Sequence, residues 1–239
     1  NAELYEDPTN PYRGVKRDGM GVIHYHIAYE AGHEYVVVGD PGQSNPVRLS
    51  LNNVPTVLVL DITHFLVEPS RLVYFHMIDG SGSYTPWLTV FKRCLDEYKC
   101  NGYYDSTNFN SAMEDAGAFD GYQAYGLSFA GNNKRWARGM FVMLAQDGLF
   151  SWPYLEALWH QANIYRESGP GCLTLADDIL AALFMYCMAL KVEGGLWDKI
   201  AARYHFEREE EKPNEDRRVI RVANPRRSRA SSSIRRRRR

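Results

Sequence analysis

The chain has 239 residues, of which 45% are apolar and 24% charged, enough apolar material for the packed core of one large domain or two small ones. Its longest apolar run covers only the 12 residues 179–190, shorter than the roughly 18 needed to cross a bilayer, so we expect no membrane partner. The four cysteines form no CxxC pair, and no charged-then-apolar signal segment is present at the start of the sequence, which predicts a protein kept in a reduced compartment rather than secreted.

The formal net charge of −1 hides a strong asymmetry along the chain. Residues 217–239 contain 11 of the 28 basic residues and none of the 29 acidic ones, so the first 216 residues carry 17 basic and 29 acidic side chains, a net charge of −12. A basic tail on an acidic globule indicates a polyanionic partner. We predict an extension or linker over residues 1–33, a folded domain over 34–205 and a disordered Arg-rich tail over 206–239.

The predicted elements follow one another as strands first and helices later. Residues 1–33 are rich in turn formers, with one short strand around 22–27. Strands are then predicted at 35–38, 56–62, 72–78, 102–104 and 123–129. Helices are predicted at 85–98, 111–116, 132–147, 154–167 and 174–191, the first with Thr85 as its N-cap and Pro86 at its first helical position, the third ended by Gly148.

The order of these elements predicts the fold class. Three consecutive strands favour an antiparallel meander, and the later strands, which alternate with helices, favour parallel additions to it. The chain is therefore predicted to be an α/β protein with a mixed sheet flanked by helices.

Carboxylates stand at the ends of these elements. Asp40 ends the first strand of the meander, Asp105 ends the fourth strand, and Asp177 and Asp178 lie in the first turn of the last helix. Ligands of α/β proteins gather beyond strand ends. Several acids brought together there would repel one another unless a cation neutralised them, and hard oxygen ligands suit Mg²⁺ or Mn²⁺. Metal ions in such a site would allow an anionic phosphodiester to bind and be hydrolysed.

Each of these acids also has an ordinary structural interpretation. Asp40 before Pro-Gly and Asp105 before Ser-Thr can be turn formers, and Asp177 and Asp178 can be acids that favour a helix N-terminus. A zinc pair of His24 and His26, which would share one face of a regular strand, is a weaker alternative because no further ligand has suitable spacing.

The ordered set resembles the RNase H-like nuclease fold, and more narrowly the C-terminal nuclease domain of the large terminase subunit of tailed bacteriophages. The resemblance covers about residues 34–191. It is carried by Val36-Val37-Val38-Gly39-Asp40-Pro41-Gly42, Gly102-Tyr103-Tyr104-Asp105, the stretch from Gly126-Leu127-Ser128-Phe129 to Asn132-Asn133-Lys134, and Leu175-Ala176-Asp177-Asp178-Ile179-Leu180-Ala181-Ala182.

The resemblance implies an endonuclease that cleaves concatemeric double-stranded DNA during viral genome packaging in the cytoplasm of the host cell. Asp40, Asp105 and Asp178, with Asp177 as the alternate, would be catalytic and would bind two Mg²⁺ or Mn²⁺ ions. Ala181 and Ala182 stand where relatives often have a further acid, which implies a weaker second metal. The resemblance also implies three partners, which are a packaging ATPase domain, a small terminase subunit and a portal. The chain has no GxxxxGK[ST] motif, so we expect it to hydrolyse no ATP.

Basic residues are the candidates for holding nucleic acid. Lys134, Arg135 and Arg138 begin a helix beside the sheet and could bind DNA phosphates, or could form an ordinary solvated face. Arg226, Arg227 and Arg229 of the tail would bind phosphate without regard to sequence. Two alternatives stay open, another RNase H-like nuclease such as a resolvase or ribonuclease H, and a non-catalytic module for DNA binding or packaging assembly.

Overall fold

The structure is a computed structural model and describes residues 16–42, 54–78, 84–107, 117–155, 158–159, 178–193 and 196–204. Within these ranges, eight strands form one sheet: β1 (Lys16–Asp18), β2 (Gly21–His26), β3 (Tyr35–Asp40), β4 (Thr56–Asp61), β5 (Ser70–Ile78), β6 (Asn101–Asp105), β7 (Ala124–Leu127) and β8 (Phe150–Ser151). The described part of the chain also contains four helices: α1 (Thr85–Tyr98), α2 (Asn132–Gln146), α3 (Asp178–Val192) and α4 (Leu196–Tyr204).

The sheet is mixed, as the sequence predicts. β3, β4 and β5 form an antiparallel meander. β6 pairs parallel with β3, and β7 pairs parallel with β6. The strand order is β1-β2-β5-β4-β3-β6-β7, with β8 paired parallel to the first residues of β5. Because β3 and β6 run side by side in the same direction, their carboxyl ends meet at one edge of the sheet.

The two faces of the sheet are covered by different helices. Successive residues of a strand point to opposite faces, and Val36 and Val38 accordingly belong to the core beneath α2, α3 and α4, whereas Val37 belongs to the core beneath α1. Every residue of α3 from 179 to 190 is buried, so its apolar run is a core helix packed on β3, as the sequence predicts. No single helix within the described ranges is long and apolar enough to cross a membrane, although α3 and α4 together, bent by 98°, pass that test.

Two glycines bring α1 unusually close to the sheet. A Cβ atom on Gly39 would lie 2.8 Å from Cζ2 of Trp87, and one on Gly102 would lie 2.7 Å from side-chain atoms of Leu95 and Phe91. Because neither glycine has a side chain, the completely buried Trp87 and Phe91 of α1 can pack directly against the strand backbone. Gly39 immediately precedes Asp40, so this packing supports the strand end that carries the predicted carboxylate.

Some local predictions differ from the structure. β1 and β2 belong to the sheet although they fall within the predicted extension 1–33, because Asp18 Oδ1 accepts the backbone N–H groups of Met20 (2.8 Å) and Gly21 (3.0 Å) and so builds a hairpin turn. The prediction of Thr85 as N-cap is wrong, since Tyr84 occupies that position and Thr85 is already helical. α4 was not predicted. Gly148, with φ of 68°, does follow α2 as expected.

Several predictions lie outside the described residues. They are the helix at 111–116, most of the helix at 154–167, Asp177, and the tail 206–239 with Arg226, Arg227 and Arg229.

Candidate metal centre and nucleic-acid interface

Asp40 and Asp105 lie side by side at the carboxyl edge of the sheet. The parallel register pairs Val38 with Tyr103 and Gly39 with Tyr104, so the next residues, Asp40 and Asp105, end neighbouring strands that are about 4.8 Å apart. Two acids that are 65 positions apart in the sequence are thus brought together by strand pairing, as the sequence predicts.

Both carboxylates lie on the same face of the sheet. Tyr103 and Val38 belong to the core beneath α2 and α3, and alternation along each strand places Asp105 and Asp40, two residues further on, on that face. Asp40 Oδ1 accepts the backbone N–H of Gly42 at 2.8 Å, which closes a tight turn directly after the strand. The two acids therefore share an edge and a face, the arrangement needed for common ligation of a cation.

A short hydrogen-bonded unit fixes Asp105. Its Oδ1 accepts the backbone N–H of Thr107 at 2.8 Å and the hydroxyl of Thr107 at 2.6 Å. The Thr107 Oγ1 in turn accepts the backbone N–H of Phe129 at 2.7 Å. Burial raises the pKa of Asp105 above its ordinary value, although these bonds and the charge of Lys134 lower it. The site thus leaves the ionised carboxylate undercompensated by the protein's own groups, and a bound cation would correct that deficit.

The charge of Lys134 acts on this carboxylate. This lysine lies in the first turn of α2, its Nζ is 5.4 Å from the centre of the Phe129 ring, and its charge lowers the pKa of Asp105. Arg135, the next residue, is exposed, and Arg138, one turn further on, is partly buried. Lys134, one of the three predicted phosphate contacts, therefore acts on Asp105 through its charge.

The direction of α3 brings its first residue, Asp178, to the same edge. Just beyond the helix's last residue, Glu193 Oε1 accepts hydrogen bonds from Tyr103 Oη at 2.7 Å and Asn101 Nδ2 at 3.0 Å, at the start of β6. The end of α3 thus lies at the amino end of β6, and a 15-residue helix of about 22 Å packed along β3 must begin near the carboxyl end. The side chain of Asp178 lies outside the described part of the structure, as does the whole of Asp177.

No complete metal site is present among the residues that the structure describes. Within that part of the chain no group of three or more His, Cys, Asp or Glu side chains is placed to hold an ion. Two of the three predicted ligands, Asp40 and Asp105, are adjacent, and a third would have to come from the first turn of α3. The residues present therefore fit a divalent cation in donor type, with Asp40 and Asp105 at the ends of adjacent strands.

The histidines do not form the alternative zinc pair. A bulge between Ile23 and Tyr25 disturbs the alternation of β2. His24 stacks on Phe75, with ring centres 4.7 Å apart, whereas His26 packs against Tyr74 at 5.4 Å. Phe75 and Tyr74 belong to opposite faces of the sheet, so the expectation that the two histidines share a face is wrong.

A second strand-end carboxylate, Asp61, was not singled out from the sequence. It ends β4 at the opposite edge of the sheet, and its Oδ1 accepts the backbone N–H (3.1 Å) and hydroxyl (2.6 Å) of Thr63. Its Oδ2 contacts His33 Nδ1 at 2.8 Å and Arg71 at 3.3 Å. The Asp-x-Thr spacing that Asp61-Ile62-Thr63 shares with Asp105-Ser106-Thr107 is the pattern that would have revealed both units.

Comparison with known proteins gives a consistent picture of the fold. No protein-family model matches the sequence, and no curated protein matches it. Among solved structures, the large terminase nuclease of the thermophilic phage G20c with bound zinc has a TM-score of 0.55 and 15% identity, covering 72% of this chain and 90% of that one. The same nuclease with bound magnesium has a TM-score of 0.54 and 14% identity, covering 73% and 89%.

The large terminase nuclease domain of Thermus phage P74-26 has a TM-score of 0.54 and 16% identity, covering 75% of this chain and 90% of that one. These identities are too low to carry residue roles across, but the shared architecture extends over nearly the whole length of each nuclease domain. The chain therefore has the RNase H-like fold of phage large-terminase nuclease domains.

Proposed function

We propose that this protein is a metal-dependent endonuclease that cleaves concatemeric double-stranded DNA during viral genome packaging. The observation that carries the proposal is the common edge and common face of Asp40 and Asp105, with Lys134 close enough to lower the pKa of Asp105. A pair of acids beside a cation is the composition expected where a phosphodiester must be bound and cut. The likeness to terminase nuclease domains supports packaging as the setting.

The donor set suits a hard divalent cation. Asp40 and Asp105, together with Asp178 or its neighbour Asp177, would hold Mg²⁺ or Mn²⁺, ions that in such sites activate water and stabilise the leaving oxygen. The G20c nuclease was crystallised with magnesium, with zinc and with cobalt, which supports divalent-cation binding in this fold. The turn after Asp40 and the Thr107 unit hold the two carboxylates still, so that little reorganisation is needed when a cation arrives.

The other role of the chain is to hold the phosphate backbone. Lys134 would contact a phosphate beside the acids, because its charge already acts on Asp105. Arg135 and Arg138 follow on the same helix and would extend the contact along the duplex. Such contacts carry little sequence preference, which suits an enzyme that cuts concatemers at many sequences.

We further propose that the arginines of the tail, Arg226, Arg227 and Arg229 among them, add sequence-independent affinity. Deleting residues 217–239 removes 11 positive charges and should weaken binding to plasmid DNA and flatten the dependence of log Kd on log salt concentration, because fewer counterions are released. Fluorescence anisotropy over a salt series measures both. An unchanged slope would mean that the tail takes no part in binding.

The proposed partners follow from the same likeness to terminases. A packaging ATPase domain, a small terminase subunit and a portal would recruit the nuclease to DNA in the host cytoplasm. Co-purification of the chain with a cognate portal and ATPase tests this assembly, and failure of both to bind would contradict it.

Incubation of the full chain with supercoiled plasmid and Mn²⁺ or Mg²⁺ tests the proposal, with EDTA and the Asp40→Asn variant as controls. We expect nicking and linearisation that both controls abolish. A branched DNA and an RNA–DNA hybrid of matched length are offered in parallel, and preference for either would favour a resolvase or ribonuclease H instead. DNA binding with no cutting in either metal would favour a non-catalytic module.

A further inference from the structure

The hydroxyl of Thr107 lies between the proposed site and the start of α2. It donates to Asp105 Oδ1 at 2.6 Å and accepts the backbone N–H of Phe129 at 2.7 Å. Phe129 follows β7 by two residues, and its ring lies beneath the ammonium group of Lys134. One side chain thus connects the end of β6, the loop after β7 and the helix that carries Lys134.

The direction of the hydroxyl proton follows from these two contacts. The Phe129 N–H can only donate, so the Thr107 oxygen is its acceptor, and the single hydroxyl proton is left to point at Asp105. A bond to an ionised carboxylate is among the stronger hydrogen bonds. With the Thr107 backbone N–H on the same oxygen at 2.8 Å, two donors converge on Oδ1 and restrict rotation of the carboxylate.

We infer that Thr107 is a positioning residue, which holds the Asp105 carboxylate in the orientation that a divalent cation shared with Asp40 requires. This inference rests on the proposed function and names one residue that makes the site effective. Groups that orient metal-ligating carboxylates contribute to metal affinity without touching the ion. The same hydroxyl also fixes the position of Phe129, whose ring contacts Lys134, relative to Asp105.

The molecule supplies its own matched control at the opposite edge of the sheet. Thr63 donates to Asp61 Oδ1 through its backbone N–H (3.1 Å) and its hydroxyl (2.6 Å), and its Oγ1 accepts the backbone N–H of Glu34 at 2.9 Å. The local unit is the same, but His33 and Arg71 occupy the other oxygen of Asp61. Removing the Thr63 hydroxyl therefore damages an equivalent hydrogen-bonded unit away from the proposed site.

The test is calorimetric titration of the full chain with Mn²⁺ in the absence of DNA. Thr107→Val should weaken the affinity about 10-fold or more, in line with other residues that orient metal ligands. Thr107→Ser, which keeps the hydroxyl, should bind within about twofold of the original protein, and Thr63→Val should bind unchanged. Thermal melting followed by circular dichroism verifies folding, and Thr107→Ala replaces Thr107→Val if the valine variant does not fold.

Three results would overturn the inference: unchanged Mn²⁺ affinity in Thr107→Val, affinity in Thr107→Ser as weak as in Thr107→Val, or an equal loss in Thr63→Val. All of these require that the original protein binds Mn²⁺. If the unaltered chain neither binds Mn²⁺ nor cuts plasmid, the proposed function itself fails, so the two failures are distinguishable.

Discussion

Asp105 and Asp61 lie at opposite edges of the sheet, and each is the last residue of its strand and is held by a threonine two residues later. Their electrostatic surroundings differ. Burial alone would raise the pKa of Asp61, but hydrogen bonds from Thr63 and His33 outweigh it and hold that pKa below its ordinary value. At Asp105 burial prevails and the pKa is raised. The same local unit therefore holds a carboxylate whose negative charge is stabilised at one edge, Asp61, and one whose negative charge is not fully stabilised at the other, Asp105.

The difference shows what separates a structural acid from a candidate ligand in this fold. At Asp61, the side-chain partners come from two other segments, His33 before β3 and Arg71 on β5. At Asp105, the charge of Lys134 only partly offsets burial, and the neighbouring strand ends in another acid, Asp40. We therefore expect an external cation to bind at the Asp105 edge rather than at Asp61.

The largest expected effect comes from making each carboxylate neutral. Asp105→Asn should reduce metal-dependent plasmid cleavage on the order of 10³-fold, because several kcal/mol of transition-state stabilisation depend on the metal site. Asp61→Asn should leave cleavage within about twofold but lower the free energy of unfolding by about 2 kcal/mol, because His33 and Arg71 lose a buried partner. Cleavage kinetics and urea denaturation separate the two effects. Equal losses of cleavage in both variants would remove the distinction between the edges.

His24, which lies at neither of these strand ends, should make the stability of the fold sensitive to acid. Burial, followed by the charge of His76, lowers the pKa of His24 from 6.5 to about 4. A lowered histidine pKa means that the unfolded chain binds a proton more readily, so stability is lost as the pH falls from about 6.5 towards 4. Moving from pH 7 to pH 5 should cost about 2 kcal/mol. His24→Phe keeps an aromatic ring on Phe75 and should remove this loss, which urea titrations at both pH values would show.

Removing the basic residue beside each acid, Lys134 or Arg71, tests whether the two edges differ in DNA binding. Lys134→Ala should weaken binding to duplex DNA several-fold and lower the salt slope by about one charge. It should also raise the pKa of Asp105 further, since the lysine charge lowers it. Arg71→Ala, at the Asp61 edge, is the matched control and should leave DNA affinity and slope unchanged. If both variants lost affinity equally, nonspecific surface charge would explain the binding.

The smallest expected effect is a pair of opposite pH trends measured in EDTA. The raised pKa of Asp105 means that its charge destabilises the folded protein at pH 7, and this cost declines as the pH falls towards 3.8. Asp105→Asn should therefore be more stable than the original protein at pH 7, with a difference that narrows on acidification.

Asp61 has a lowered pKa, so its contribution is fully present above 3.8 and is lost as the pH falls through the folded value. The deficit of Asp61→Asn should therefore hold from pH 7 to about 5 and shrink only below about 4. Parallel trends in the two variants would contradict the assignment of opposite shifts.

Much of the sheet, and the placement of two of the three candidate ligands at neighbouring strand ends, could be predicted because they depend on local patterns. Runs such as Val36-Val37-Val38 indicate buried strands, and the order of elements places Asp40 and Asp105 at strand ends that parallel pairing then brings together. The turn residues of the β1–β2 hairpin are typical of a linker, and its place in the sheet depends on the long-range pairing of β2 with β5.

What the sequence could not separate is Asp61 from Asp105. Both precede a threonine by two positions, and the partners that distinguish them, His33, Arg71 and Lys134, are 28, 10 and 29 positions away from their acid. Groups that are distant in the sequence but close in space, rather than any local motif, decide which carboxylate has its negative charge less fully stabilised. The role of Thr107 was missed for the same reason, since its contact with Phe129 spans 22 positions.

The most direct test of the metal centre is anomalous diffraction from a crystal of the full chain soaked in Mn²⁺. We expect a manganese peak bonded to carboxylate oxygens of both Asp40 and Asp105, and none at Asp61. A peak at Asp61, or none beside Asp40 and Asp105 at millimolar Mn²⁺, would contradict the assignment of this edge as the metal centre.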